Sequence, residues 1–355
     1  MYARRAARWA ASLVTLGLVV GCSAEDVALP SATTVEAGAS EVATGLDAPW
    51  SIAFYGDTPL VSERDSARIV ELDADGESRE VARVDGVRAG GEGGLMGLAV
   101  RDDYLYAYYS TASDNRIERF AIDGEPGALS LRDGQVIVDG IPVSAHHNGG
   151  RLAFGPDGRL YATTGDAGQP DRAQDPNSLA GKILQIADPD GAPDQVQARV
   201  YSMGHRNSQG LAWAPDGTMF AAEFGQDTWD ELNVITEGAN YGWPVVEGIA
   251  GREGFVDPVQ QWSPQQASPS GIAFHDGRIV IANLRGQRLR TVAASAPWGT
   301  TDTLQGAGRL RDAVVAPDGS LWVLTNNTDG RGRPGANDDR ILRVQLSSGD
   351  VEPSR

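Results

Sequence analysis

Phe154-Gly155-Pro156-Asp157-Gly158-Arg159-Leu160-Tyr161-Ala162-Thr163-Thr164 joins two short apolar runs through a tight turn. Proline presets φ for the turn and glycine accepts the positive φ that reverses the chain, so the stretch reads as a β-hairpin. The same plan recurs at Ala53-Phe54-Tyr55-Gly56-Asp57, Ala99-Val100-Arg101-Asp102-Asp103, Trp213-Ala214-Pro215-Asp216-Gly217, Ala273-Phe274-His275-Asp276-Gly277 and Val315-Ala316-Pro317-Asp318-Gly319. Hairpins repeating at roughly 40 to 60 residues form an array whose units must close on one another to bury their faces. Six units predict an all-β fold, a six-bladed β-propeller of mainly four-stranded antiparallel blades, with a central channel and a loop-lined mouth.

The hairpins run nearly the length of the 355 residues, which favours one domain over two. The 44 glycines and 19 prolines, with no amphipathic helical run in the body of the chain, suit a turn-rich β protein. A formal net charge of −18 argues against nucleic acid or an anionic membrane surface as the main partner. It also makes clustered arginines conspicuous. Cys22 is the only cysteine, so no intramolecular disulfide can form.

At the N-terminus Arg4, Arg5 and Arg8 precede an apolar run from Trp9 to Val20, then Gly21-Cys22. A basic start, a short apolar stretch and a small residue before the cut predict a secretory signal, too short for a comfortable membrane span. Val19-Val20-Gly21-Cys22 resembles the bacterial lipobox, which predicts an exported chain, periplasmic or at the cell surface, anchored by lipid on Cys22. The expected organisation is a lipoprotein-type signal peptide over 1–21, a flexible tether over 22–40, the propeller over 41–347 and a disordered tail over 348–355.

Four segments carry residues that blades do not need. Arg88-Ala89-Gly90-Gly91-Glu92-Gly93-Gly94-Leu95-Met96-Gly97 sets five glycines around one acid, which permits close backbone approach. His146-His147-Asn148-Gly149-Gly150-Arg151 puts two of the four histidines on one loop, and histidine is the side chain best suited to proton transfer near neutral pH. Gly204-His205-Arg206-Asn207, Glu223-Phe224-Gly225-Gln226-Asp227-Thr228-Trp229-Asp230-Glu231 and Asn240-Tyr241-Gly242-Trp243-Pro244 combine carboxylates with glycines whose carbonyls suit Ca²⁺, a hard cation that takes oxygen ligands. Finally, Arg309 and Arg311 share a strand face near Arg285, and two guanidiniums on one face repel unless an anion sits between them. Together the segments describe a channel mouth with a base, a divalent-cation site and an arginine cluster for an anionic ligand.

These residues resemble the glucose/sorbosone dehydrogenases, six-bladed propellers that use pyrroloquinoline quinone (PQQ) with Ca²⁺. The similarity runs from Gly45-Leu46-Asp47-Ala48-Pro49-Trp50 to Ile341-Leu342 and is most specific at Gly204-His205-Arg206-Asn207 and Asn240-Tyr241-Gly242-Trp243-Pro244. The resemblance makes His147 the general base and sets Arg206 and Asn207 against the quinone, with Arg206 stabilising charge on its oxygen. It matches Arg309 and Arg311 to two arginines that hold the cofactor, and Arg285 to a cofactor-binding lysine. Main-chain carbonyls of Gly225 and Gln226 would ligate the Ca²⁺ at the quinone, and Glu231 with the Tyr241 carbonyl a second, structural Ca²⁺. The chain departs from the family pattern at three places: His146 stands where an acid precedes the base, Glu92 where a glutamine often touches the quinone, and Gln226 where the Ca²⁺ loop has a proline.

The implied reaction is oxidation of an aldose at C1 to the lactone, His147 taking the hydroxyl proton while hydride passes to PQQ. The implied partners are the small-molecule aldose and an external electron acceptor, with no nucleic acid and no membrane contact beyond the Cys22 lipid. Two other classes stand beside this one: a Ca²⁺-dependent lactonase whose metal is held by channel side chains, and a propeller that binds without chemistry. The arginine pair and Gly204-His205-Arg206-Asn207 are unexplained by the first, and His147 beside the arginine cluster argues against the second.

Overall fold

The computed structural model describes residues 33–34, 38–296 and 298–346; the expected signal peptide, the Cys22 anchor and the C-terminal tail lie outside them. Six antiparallel sheets form the blades of a β-propeller, and the one helical element among the described residues is a 3₁₀ turn, Pro170–Gln174. No described helix is long and apolar enough to cross a membrane.

Each of the six turns joins the first two strands of one blade. In chain order these pairs are Pro49–Tyr55 with Thr58–Glu63, Leu95–Arg101 with Tyr104–Ser110, Leu152–Phe154 with Leu160–Thr163, Ser208–Trp213 with Met219–Glu223, Pro269–His275 with Arg278–Asn283, and Leu310–Val315 with Leu321–Thr325. Turn chemistry matches turn geometry: Gly158 has φ +76° and Asp102, where no glycine stands, has φ +50°. The second strands are buried along almost their whole length, as in Leu321–Thr325, because each blade is covered on both faces by its neighbours. Among the described residues the apolar core accordingly divides into six clusters, one at each seam between blades.

The ring closes through the N-terminus. Gly38–Ala43 pairs antiparallel with Ile341–Gln345 and becomes the outer strand of the last blade, while Thr33–Thr34 pairs parallel with Thr300–Thr303 as a fifth strand on the blade before it. Thr33, Thr34, Gly38, Ala39 and Ser40, expected in the tether, are therefore strand. Outer-edge pairing needs main-chain hydrogen bonds and no bulk, so a small, polar composition does not reveal it; the first four residues of Gly38–Ala43 are exposed.

Below the mouth the axis is filled by polar side chains. Arg151 of blade 3 meets Asp312 of blade 6 at 3.0 Å, and Arg311 of blade 6 donates to Gln209 Oε1 of blade 4 at 2.8 Å. Bonds between such distant blades can only cross the axis. At the rim of blade 5, the buried Asp302 accepts from Arg290 at 2.6 Å and 2.9 Å and from Arg288 at 2.9 Å. Burial works against its ionised form, but the Arg290 and Arg288 bonds and charges outweigh it and hold the carboxyl below its usual value. A carboxyl lowered by folding contributes stability above its unfolded pKa, and that contribution is lost as pH falls through the folded value. Asp302→Asn is expected to lower stability by about 1–3 kcal/mol at pH 7 in denaturant titrations. The gap to the parent protein should close below about pH 4, and an equal gap at pH 3 would contradict the assignment.

Candidate active site at the channel mouth

The loop entering blade 3 carries His147 in a left-handed conformation, φ +59°, which is uncommon for a residue with a Cβ. The packing that holds it there is glycine-dependent. A Cβ at Gly165 would collide with the His147 carbonyl, one at Gly91 with the Ala145 carbonyl, and one at Gly149 with Thr163 and Thr164. The glycines flanking Glu92 thus serve close backbone approach, as expected.

His147 Nδ1 lies 2.7 Å from Asp166 Oδ1, and the imidazole is 19% exposed, so its other edge reaches the cavity. Asp166 is fully buried. It also accepts from Gly168 N at 2.8 Å and from the Trp243 indole Nε1 at 2.9 Å. Burial opposes its ionisation, yet the His147 bond and charge, with the Gly168 and Trp243 donors, hold the carboxyl below its usual value. An ionised Asp166 fixes the proton of neutral His147 on Nδ1, which leaves Nε2 as an acceptor. The base is therefore oriented by Asp166, and the His146 substitution just before it, whose ring is exposed and 6.3 Å away, does not disturb that bond.

Glu92 lines the cavity but is engaged by the protein: Oε2 accepts from His147 N at 2.9 Å and Oε1 pairs with Arg331 at 3.4 Å. Its charge is offset, and it braces the base loop. On the loop between blades 3 and 4, Asn207 is fully buried, with Oδ1 accepting from Gly149 N at 3.0 Å and Nδ2 without a partner. Arg206 donates to Phe224 O at 3.2 Å and lies over the Trp243 ring at 5.4 Å, while its main-chain N–H donates to Glu223. Glu223 in turn meets the buried His205 at 2.8 Å, and His205 stacks on Tyr241 at 4.8 Å.

Arg309 and Arg311 converge, but the anion between them belongs to the protein: Asp329 Oδ2 lies 3.1 Å from Arg309 and 3.9 Å from Arg311. Arg309 lines the cavity; Arg311 is 3% exposed beneath it, bonded to Gln209 and Asn326. Burial draws the Arg311 guanidinium down to about 9, with Asp329 opposing and Arg64, Arg309 and Arg151 adding, so it stays charged at neutral pH.

Gly225 N donates to Asp230 Oδ1, and the N–H groups of Gln226, Thr228 and Trp229 all donate to Glu247 Oε1. With its amides spent on carboxylates, this loop has the Gly225 and Gln226 carbonyls left to offer, and both residues line the cavity. Asp230, also in the lining, is pushed up to about 6 by burial, against the Ser268 and Gly225 amides and the Arg206 charge. Glu231 and Tyr241 are elsewhere. Glu231 is buried, with Oε1 accepting from Gly248 N at 2.7 Å and Oε2 from Asn233 Nδ2 at 3.0 Å, and Tyr241 packs in the apolar seam between blades 3 and 4. Among the described residues no three His, Cys, Asp or Glu side chains form a cluster able to hold a metal.

The cavity has a volume of about 470 Å³, and it gathers eight of the expected residues: Glu92, His147, Arg206, Asn207, Gly225, Gln226, Arg285 and Arg309. Arg311, Glu231 and Tyr241 stay outside the lining. Sequence reasoning missed Asp166 and Arg331; Asp230 and Trp243 stand in the segments it singled out but were given no role of their own. Behind the site, the buried Lys182 ammonium donates to the carbonyls of Arg172, Ala173 and Ala180 at 2.9, 3.0 and 2.6 Å, which pins the loop that carries Asp166.

A family model described as Glucose / Sorbosone dehydrogenase matches residues 46–342. The chain is similar to the PQQ-bound form of the aldose sugar dehydrogenase of Streptomyces coelicolor, at 46% identity and a TM-score of 0.81 over 87% of this chain and 99% of that one. It is also similar to the aldose sugar dehydrogenase YliI of Escherichia coli, at 29% identity over 80% of this chain and 89% of that one. Against the quinoprotein glucose dehydrogenase B of Acinetobacter calcoaceticus the identity is 28%, over 61% of this chain and 54% of that one.

Proposed function

The chain belongs to the glucose/sorbosone dehydrogenase family, and on that premise we propose that it oxidises aldoses at C1 to lactones with PQQ as cofactor. One observation carries the reading. Arg206 Nε, Arg309 Nε and Asn207 Nδ2 are buried donors without partners at a single cavity, beside Arg285 and Arg331. Unpaired buried donors are costly, and a set made only of donors, largely cationic, fits a ligand made of acceptors and negative charge. A tricarboxylate quinone is such a ligand, and the cavity is of the size that holds one.

PQQ, when bound, supplies the acceptor for the hydride that leaves the sugar C1. His147 Nε2 takes the C1 hydroxyl proton, and Asp166 offsets the imidazolium charge that results. Arg206, Asn207 and Arg309 hold and orient, offering preorganised donors to acceptor oxygens. Ca²⁺ belongs at the Gly225 and Gln226 carbonyls, where it would act as a Lewis acid on a ligand oxygen. A second, structural Ca²⁺ would be held by Glu231 with the Tyr241 carbonyl: each Glu231 oxygen accepts from a single N–H donor, which leaves acceptor capacity for a cation. The same reading keeps the chain exported, lipid-anchored at Cys22 and served by an external electron acceptor.

The test is absorbance titration of the purified protein with PQQ, with and without Ca²⁺, followed by dye-linked oxidation of a panel of aldoses. One PQQ per chain and turnover that needs both additions are expected. Absence of PQQ uptake at micromolar concentration would overturn the reading in favour of a propeller that binds something else.

A further inference from the structure

Asp166 and Arg206 come from different loops, yet both meet one side chain. The Trp243 indole Nε1 donates to Asp166 Oδ2 at 2.9 Å, and the Arg206 guanidinium lies 5.4 Å from the centre of the Trp243 ring. Among the described bonds, Asp166 Oδ1 is shared by His147 and Gly168, whereas Oδ2 has Trp243 alone. The position of Trp243 is itself fixed. Its main-chain N–H donates to Gly204 O at 3.0 Å, its carbonyl accepts from Gln174 Nε2 at 2.6 Å, and Gln174 also exchanges two bonds with Asn240, at 3.0 and 2.7 Å. Gln174 ends the 3₁₀ turn whose carbonyls Lys182 holds.

We propose that Trp243 is a positioning residue that sets the base and the cavity arginine together, its N–H restraining the basicity of Asp166 and its ring seating Arg206. The two halves act by different physics. Removing the N–H leaves a carboxylate oxygen unsatisfied, so its negative charge is less well solvated and holds an imidazolium more tightly. His147 then titrates at higher pH. The other charged groups around His147 are Glu92 at its main-chain N–H, Arg331 through Glu92, the neighbouring His146 and Arg206, and none of them changes when the N–H is removed. Removing the ring takes away the face over which the guanidinium rests, and Arg206 loses its cation–π restraint.

Trp243→Phe keeps a ring and drops the N–H; Trp243→Leu drops both. The first readout is NMR titration of the four histidine rings in the cofactor-free protein. His147 is expected to move up by about 0.5–1 pH unit in Trp243→Phe, a shift typical of losing one donor to a charged partner. In the parent protein the Trp243 indole N–H resonance should follow the His147 titration, which gives an answer even if a variant fails to fold. The second readout is PQQ affinity, expected to stay within about threefold in Trp243→Phe and to fall roughly 3- to 30-fold in Trp243→Leu. The acid limb of kcat/KM should move with the His147 value. An indole resonance blind to that titration, or an unmoved His147 in Trp243→Phe, would overturn the N–H half; equal PQQ losses in both variants would overturn the ring half. The ring half rests on the quinone reading, whose failure would show as no PQQ uptake by the parent protein, while the NMR arm decides the N–H half regardless.

Discussion

His147→Asn is expected to lower kcat for aldose oxidation by roughly a thousandfold, within the range for loss of a general base, with PQQ affinity changed by no more than a few fold. Asparagine is the informative replacement because it tolerates the left-handed backbone that His147 adopts at φ +59°, so the loop is not strained by the test. It can still donate to Asp166, but it has no nitrogen able to take a proton. The split between kcat and cofactor affinity follows from the geometry: the unpaired donors lie on Arg206, Asn207 and Arg309, whereas His147 Nδ1 is committed to Asp166 at 2.7 Å. Turnover within tenfold of the parent protein would remove His147 from the role. Asp166→Asn should sit between the two, because an amide lets the imidazole adopt the other tautomer without removing it.

The readable and unreadable parts of this protein differ in where their causes lie. The blades were legible because each is announced by a turn whose φ angles only a few residues accept, and Gly158, Gly217, Gly277 and Gly319 all adopt them. The closing strand was not, since Gly38–Ala43 earns its place through main-chain pairing and leaves no side-chain pattern. At the site, His147, Arg206 and Asn207 stood out as motifs that blades do not require. Asp166 did not, because a lone aspartate after a strand resembles any turn aspartate until the loops of blades 3 and 4 are brought together. The arginine pair illustrates the same limit. The expected partner of the pair is an anionic ligand, but the carboxylate that lies between them is Asp329, separated from Arg309 and Arg311 by an intervening strand and bulge that hide the meeting from the sequence. Glu92 looked like a charge placed against an anionic ligand, and its neutralisation by Arg331 is likewise visible only in space.

The largest stability effect is expected below the cavity, at Asp312. Its carboxylate accepts from Arg151 at 3.0 Å and from Ile52 N at 3.1 Å, which ties blades 6, 3 and 1 across the axis, and a Cβ on Gly271 would strike it. Arg151 is equally enclosed, lying 4.4 Å over the Trp50 ring and donating to Gln209 O at 2.9 Å. Burial raises the Asp312 carboxyl above its usual value, with Arg151 pulling against it. A carboxyl raised by folding is not a source of stability that acid would remove, so the pair does not repay its own desolvation through charge alone. Half of it is worse than either extreme. Asp312→Ala leaves a buried guanidinium and an amide without their acceptor and should lower stability by about 3–5 kcal/mol. The melting temperature should fall on the order of 5–10 °C. Replacing both partners, as in Asp312→Ala with Arg151→Met, removes the orphaned charge and should recover most of that loss. Chemical denaturation of the two variants decides it: a single variant within about 1 kcal/mol of the parent, or a double variant no better than the single, would show that the axial pair does not hold the blades.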